Sequence, residues 1–148
     1  GRGQMGLLGH GTEDDSTTPR KVGGLGLGAV KAVACGAFHS AAVTKQGECF
    51  TWGWATLPPQ GGASGAPLEA TFLTKPQLLK SLPQGVKVAG VACGCYATAV
   101  WSVSGKLLTW GKGAGGQLGH GGEADEHRPR IVTGVELEHI VEVPRKSP

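Results

Sequence analysis

The chain has 148 residues, about the length of one domain, and its fourteen Lys and Arg against eleven Asp and Glu give a formal net charge of +3. This small charge, without any block of like charges, argues against direct binding of nucleic acid. The 27 glycines lie well above the ordinary share, while 39% of the residues are hydrophobic. That balance favours a packed fold with many tight turns over a low-complexity chain.

The first predicted elements are three short strands. Residues 29–34 are apolar without a helical period, and a second strand is predicted at 39–44. A turn at 45–47 then leads to a strand at 49–52. No segment carries the sustained apolar spacing of an amphipathic helix, so we expect an all-β chain.

The same order of elements returns later in the chain. Strands are predicted at 86–92, 98–102 and 106–110, with a turn at 103–105 before the last of them. The uncharged residues 88–105 reach the length of a membrane helix. Glycines and hydroxyl side chains interrupt this run, so we expect no membrane span.

Internal repetition is the most informative feature of the sequence. With an offset of 58, Val33-Ala34-Cys35-Gly36 falls on Val91-Ala92-Cys93-Gly94, and Thr51-Trp52-Gly53 falls on Thr109-Trp110-Gly111. With an offset of 110, GRGQMGLLGHG at the start of the chain matches GKGAGGQLGHG, and both copies end in Pro-Arg-x-Val. The two offsets define periods of 52 and 58 residues, which are typical of a β-propeller.

A fourth strand is predicted in each unit. Residues 20–22 and 130–132 each follow a proline, and proline is tolerated at a strand start or on an edge strand. Four short strands in a unit of roughly fifty residues describe a propeller blade. We therefore expect repeat units at about 1–52, 53–110 and 111–148, the last one truncated.

These residues resemble a known repeat. Thr109-Trp110-Gly111, then GQLGHG at 116–121, then Pro129 and Val132, are similar to the repeat of the regulator of chromosome condensation family. Phe38-His39-Ser40 and the two Val-Ala-Cys-Gly segments match it as well. The resemblance covers nearly the whole chain and implies a seven-bladed β-propeller whose blades have four antiparallel strands.

The chain departs from that repeat in two places. Residues 53–77 lack Gly-Gln-Leu-Gly and are several residues longer than their counterpart, so we expect this loop to be rebuilt. Residues 140–143 begin a strand, but Pro144 follows where Ala-Cys-Gly is expected. We therefore expect an incomplete propeller over 1–148, with under three blades, which does not close alone. Such a chain is a piece of a longer protein, or its open edges pair with another chain.

Six residues are expected to be structural because they recur at equivalent positions of the repeat. The glycines of 1–6 and 111–116 also fit a dinucleotide-binding spacing, but no helix follows them, which favours turn glycines. The six structural positions are Gly36, Gly94, Trp52, Gly53, Trp110 and Gly111.

No catalytic residue, cofactor or metal site is predicted. The four cysteines are interpreted as small buried residues of a reduced protein, since they form neither a disulfide framework nor a metal-binding spacing. The plant UV-B photoreceptors of the family use clustered Trp beside Arg, and their Gly-Trp-Arg-His-Thr motif is absent. The lysines are scattered in the sequence without a basic stripe, at positions 45, 75, 80, 87, 106 and 112.

Two matching loops supply the candidates for contact with a partner. Each loop contains a histidine and an acidic cluster followed by basic residues, and loops on one rim of a propeller are a usual place for recognition. The candidates are His10, Asp14, Asp15, His120, Asp125 and Arg128.

Three functions are consistent with these features. The first is a non-catalytic protein-interaction module or scaffold, because the repeats lack a convergent catalytic set. The second, implied by the resemblance, is guanine-nucleotide exchange on a small GTPase. The third is a structural accessory subunit of a larger complex, which would add its open edge strands to another sheet. The expected partner is a protein, and the expected location is intracellular, in the cytoplasm or the nucleus.

Overall fold

Two four-stranded antiparallel sheets form the fold. A computed structural model describes residues 1–26, 29–54 and 73–135. The first sheet consists of β1 (Val30–Cys35), β2 (His39–Thr44), β3 (Cys49–Gly53) and β4 (Leu73–Leu78). The second sheet consists of β5 (Val88–Cys93), β6 (Ala97–Ser102), β7 (Leu107–Gly111) and β8 (Glu126–Ile131). Strands pair in chain order in both sheets, which makes each sheet a propeller blade and confirms the predicted all-β class.

The tight turns between strands follow the glycines of the repeat. Gly47 donates its amide to the carbonyl of Thr44 at 3.0 Å, and Gly105 donates to Ser102 at 3.1 Å. Both glycines have a positive φ, a conformation that residues with a Cβ rarely adopt. These turns fix the register of β2 with β3 and of β6 with β7.

The main core lies between the two sheets. Val43 of β2 belongs to one buried cluster with Val88, Val100 and Leu108 of the second sheet, and all four side chains are fully buried. Burying one such side chain contributes about 1.5–3 kcal/mol. This packing fixes the second blade against the first.

A second, smaller core lies on the other face of the first sheet. Ala42, Phe50 and Trp52 are buried there, with Leu25 and Leu73 packed against them. Leu25 belongs to the segment before β1, so residues near the amino end cover the outer side of the first blade.

The fourth strand of the first sheet corrects one expectation. Residues 73–77 were expected to be part of a rebuilt loop, but they belong to β4. Pro76 of β4 and Pro129 of β8 are both buried on an outermost strand, where a missing amide breaks no ladder bond. The rest of the predicted rebuilt loop, residues 55–72, lies outside the described residues, and so does the strand expected at 140–143.

The strand expected at 20–22 is wrong, since these residues lie outside any strand. In the second sheet the matching residues pair with β7, where Arg130 lies opposite Thr109. Among the described residues, no strand pairs with 20–22.

The cysteines are less uniformly buried than expected. Cys49 is buried and Cys93 is half-buried, whereas Cys35 and Cys95 are exposed. Cys35 ends β1, and Cys95 lies in the turn between β5 and β6. No helix long and apolar enough to span a membrane occurs in residues 1–26, 29–54 and 73–135.

Candidate interaction surface

Two glycine-rich loops lie at the end of the sheets where β3 and β7 finish. Each contains a short 3-10 turn, at Gln4–Gly6 and at Ala114–Gly116. The carboxylate Oδ1 of Asp15 accepts the amide of Gly3 at 2.8 Å, and Asp125 Oδ1 accepts the amide of Gly113 at 3.0 Å. The two predicted contact residues Asp15 and Asp125 therefore hold equivalent loops closed. We call this end of the sheets the glycine-loop end.

Asp125 makes a second contact that Asp15 does not. Its Oδ2 lies 2.7 Å from the ammonium of Lys112, the residue directly after β7. The hydrogen bond from Lys112, with the amide of Gly113 second, lowers the pKa of the Asp125 carboxyl. Asp125 is exposed and carries a negative charge at neutral pH.

The two predicted histidines lie at matching places in the loops and are both half-buried. His120 Nε2 lies 3.0 Å from the hydroxyl of Thr109, and this hydroxyl donates to the carbonyl of Leu118 at 2.6 Å. Thr109 therefore accepts a hydrogen bond from His120 and ties its loop to β7. His120 is therefore partly exposed and also helps to hold its loop on β7.

Thr51 of the first sheet differs from Thr109 in its hydrogen bonding. It is equivalent to Thr109 at the offset of 58, and it is buried. No hydrogen-bond partner for Thr51 Oγ1 is found among residues 1–26, 29–54 and 73–135. The lack of Leu-Gly-His after β3 removes the groups that satisfy Thr109 in the second sheet.

Asp14 and Arg128 are the two predicted contact residues whose side chains are best placed to meet a partner. Both are exposed. Within the described part of the chain, neither side chain takes part in a hydrogen bond or an ion pair. They lie in separate loops, and the bonds of each loop stay within that loop and its neighbouring strands. The structure therefore places the six candidates in two sets rather than in one cluster.

The predicted structural tryptophans and glycines lie around the same end. Trp52 is buried and donates its Nε1–H to the carbonyl of Leu7 at 2.9 Å, which fixes the first loop on β3. Trp110 is buried in the core between the sheets. Gly53 and Gly111 end their strands with positive φ.

Gly36 and Gly94 bring the two blades into backbone contact. A Cβ on Gly36 would overlap the carbonyl oxygen of Gly94, so a glycine at position 36 is required by close approach. Beside this contact, His39 of β2 lies with Nε2 2.8 Å from the hydroxyl of Thr98 on β6. His39 is buried, and this burial lowers its pKa. This hydrogen bond joins the first blade to the second.

Three aromatic side chains form a cluster that was not predicted. The rings of Phe38 and Tyr96 stack with centroids 5.1 Å apart, and Trp54 meets both edge-on at 5.5 and 5.7 Å. Phe38 and Tyr96 occupy equivalent turns of the two blades, a spacing that could have pointed to the pair. We call these three residues the aromatic cluster.

The aromatic cluster borders the second glycine-rich loop. The amide of Lys112 donates to the carbonyl of Tyr96 at 3.0 Å, and the amide of Trp54 donates to Phe38 at 2.7 Å. Tyr96 is 39% exposed. The glycine-loop end therefore combines an accessible aromatic surface with carboxylate-bearing loops.

The glycine-loop end brings together aromatic rings, carboxylates and basic side chains. No group of three or more His, Cys, Asp or Glu side chains that could hold a metal ion occurs in the part of the chain that the structure describes. Half-exposed aromatic rings beside charged side chains are typical of protein–protein interfaces.

Comparison with known families gives one match. The family described as "Regulator of chromosome condensation (RCC1) repeat" matches residues 1–43 and 104–143. These two segments contain both glycine-rich loops, β1, β7 and β8.

Individual relatives agree with this match. The chain is 33% identical over 147 residues to the E3 ubiquitin-protein ligase HERC2 of Homo sapiens, covering 97% of the chain and 3% of the ligase. It is 36% identical over 143 residues to the ultraviolet-B receptor UVR8 of Arabidopsis thaliana, covering 97% of the chain and 31% of the receptor. The chain thus spans less than a third of each of these relatives.

A solved structure gives the same fold. Prp20p from Saccharomyces cerevisiae, described together with its binding properties to Gsp1p and histones, matches with a TM-score of 0.73 and 20% sequence identity. The match covers 89% of this chain and 33% of Prp20p. At this identity the likeness concerns the fold.

Proposed function

The chain belongs to the regulator of chromosome condensation (RCC1) repeat family, and from this premise we propose that it is a non-catalytic protein-interaction module. The observation that carries the proposal is the glycine-loop end, where the aromatic cluster lies beside a loop held by Asp125. Rigid aromatic side chains contribute much of the binding energy in protein interfaces. The loops supply charged groups around them.

The strands hold this surface in place. Trp52 anchors the first loop, Thr109 anchors the second, and the core between the sheets fixes the two blades against each other. A surface that is rigid before binding loses little conformational entropy on association, which favours affinity. The proposed partner is therefore a folded protein that meets a preformed surface.

The two exposed loop residues Asp14 and Arg128 provide the test. In the double variant Asp14→Ala and Arg128→Ala, we expect the abundance of the captured partner to fall about fivefold, the effect of losing roughly 1 kcal/mol of contact energy. The measurement is affinity capture followed by quantitative mass spectrometry. Circular dichroism should show an unchanged fold, because both side chains are exposed and neither takes part in a hydrogen bond or an ion pair among the described residues.

A matched variant controls for the loss of charge. Lys31→Ala with Glu48→Ala also removes one basic and one acidic exposed side chain, but at the opposite end of the sheets from the two contact positions. Capture should survive in this control. Equal capture of the partner by the test variant and the control variant would show that Asp14 and Arg128 do not contribute to binding.

Guanine-nucleotide exchange on a small GTPase is a second candidate. It is favoured by the binding of Prp20p, a protein of the same fold, to Gsp1p. Nucleotide release from a panel of small GTPases, with and without the chain, separates the two proposals. Acceleration for one GTPase would support exchange, and no acceleration across the panel would leave the interaction module.

A further inference from the structure

The end of the sheets opposite the glycine loops is rich in lysine. β2 and β6 finish there, and β3 and β7 begin there. Among the described residues of this end, Glu48 is the single acidic side chain. We call this end the lysine end, and its five exposed lysines are Lys31, Lys45, Lys80, Lys87 and Lys106.

Backbone contacts between the blades bring these lysines together from distant parts of the chain. The carbonyl of Lys87 accepts the amide of Val103 at 2.9 Å, and the amide after Lys87 donates to the carbonyl of Gly47 at 3.0 Å. Lys87 therefore lies between the two hairpin turns that carry Lys45 and Lys106. Lys45, Lys87 and Lys106, which are far apart in the sequence, are therefore brought to one end of the fold.

The repeat does not account for this basic surface. At the offset of 58, none of four lysines has a basic residue at its equivalent position. Neither of the two ion pairs in the described part of the chain uses a lysine of this end. The equivalents of Lys31, Lys45, Lys87 and Lys106 are Ala89, Val103, Ala29 and Glu48. The positive charge is therefore neither a requirement of the fold nor neutralised by the described neighbours.

We propose that the lysine end binds an acidic polypeptide segment, rich in Asp and Glu, of a protein partner. This inference rests on the proposed function as an interaction module and adds a second surface to it. Unpaired ammonium groups attract carboxylates, and a set of them raises the rate of encounter with an oppositely charged partner.

The composition of the lysine end favours a polypeptide over a nucleic acid. Its basic groups are all lysines, without the bidentate arginine forks that read the edges of guanine bases. The exposed aromatic ring of Tyr96, on which a base could stack, lies at the opposite end. Charge attraction without stacking fits an acidic segment that lies across the turns.

The test uses a fluorescent peptide of alternating Glu and Gly as the probe. We expect fluorescence anisotropy to show binding that weakens as salt is added, because exposed charge pairs are screened. A peptide with Gln in place of Glu should not bind. Absence of any binding by the Glu peptide at low salt would overturn the proposal.

A triple variant locates the surface. Lys45→Gln, Lys87→Gln and Lys106→Gln together should weaken peptide binding roughly tenfold, since the three ammonium groups flank one strip of the surface. The control Arg20→Gln, Lys21→Gln and Lys75→Gln removes the same charge from exposed positions elsewhere. Its affinity should stay within about twofold of the unchanged chain. Equal weakening in both variants would show attraction by net charge alone and would overturn the proposal.

Two further measurements decide the identity of the occupant. Duplex DNA that binds more tightly than the Glu peptide, and loses binding in the lysine variant, would overturn the assignment to an acidic polypeptide. Self-association in sedimentation, lost in the same variant, would instead assign the surface to a second copy. The double variant Asp14→Ala and Arg128→Ala should bind the Glu peptide normally. The peptide assay therefore tests the lysine end separately, and its result stands even if the glycine-loop end does not bind a partner.

Discussion

Asp125 and Asp15 illustrate how one residue type closes equivalent loops. Each accepts a backbone amide from the start of its loop, so the carboxylate is a structural acceptor as well as a surface charge. Replacing Asp125 by Asn keeps an acceptor oxygen, whereas replacing it by Ala removes one. We expect Asp125→Ala to expose the amide of Gly113 to exchange and Asp125→Asn to keep most of its protection.

Hydrogen exchange followed by NMR measures this difference at a single amide. The amide of Gly3, in the other loop, is the internal reference because its acceptor Asp15 is unchanged. Equal exchange at Gly113 in both variants would contradict the role of the carboxylate as a loop acceptor.

The cysteines should separate into two reactive and two protected thiols. Burial raises the pKa of Cys49 and Cys93 to about 12, while Cys35 and Cys95 are exposed. The thiolate is the reactive form, so brief alkylation at mildly alkaline pH should label Cys35 and Cys95. Mass spectrometry of digested peptides measures the labelling. Denaturant should make all four react, and rapid native labelling of Cys49 would contradict the described core.

At the level of strands and loops, Thr51 and Thr109 form a matched pair. Thr109→Val removes the acceptor for His120 and the donor to Leu118, and we expect it to lower the free energy of unfolding by about 1–2 kcal/mol. Thr51→Val replaces a buried hydroxyl for which the described residues supply no partner, and it should be neutral or stabilising. Urea unfolding measures both, and equal destabilisation would contradict the difference between the sheets.

The contact between the blades should depend on pH through His39. Burial lowers the pKa of His39 below its ordinary 6.5, so the neutral ring favours the folded chain. The free energy of unfolding should therefore be level above that value and fall as the pH drops through it, by at most about 1.4 kcal/mol per pH unit. His39→Gln should remove this part of the slope. The same slope in both proteins would show that His39 does not titrate on unfolding.

The strand predictions succeeded where one repeat contains both a strand and the strand that pairs with it. The strands from β1 to β3 and from β5 to β7 were predicted closely because each hairpin contains its own partner and a turn glycine. β4 was missed because the longer loop before it breaks the repeat offset. Residues 20–22 were wrongly predicted, since local sequence does not show whether a neighbouring strand is available.

Contacts between units could not be predicted in the same way. The aromatic cluster joins Phe38 and Tyr96, which are 58 residues apart, and the lysine end joins turns of two blades. Sequence spacing shows that such residues are equivalent, but not that adjacent blades bring them side by side. The candidate loops were located from the sequence, whereas the structural roles of Asp15, Asp125 and His120 needed the fold.

The whole molecule has two ends of different character. The glycine-loop end presents the aromatic cluster with Asp14 and Arg128 in its loops, and the lysine end presents exposed ammonium groups without ion pairs to the described residues. The sheets between them supply the packing that holds both surfaces. The proposed interaction function and the proposed acidic ligand therefore concern two distinct surfaces on one repeat architecture.

The most direct measurement is photo-cross-linking from the glycine-loop end. A photoreactive amino acid at Tyr96 should give a defined covalent adduct with a partner protein in the cells that express the chain. The same group at Val33, which is 69% exposed against 39% for Tyr96, should give none, because Val33 lies in the middle of β1, away from both ends of the sheets. Adducts absent from Tyr96, or equal at both positions, would contradict an interaction surface at the glycine-loop end.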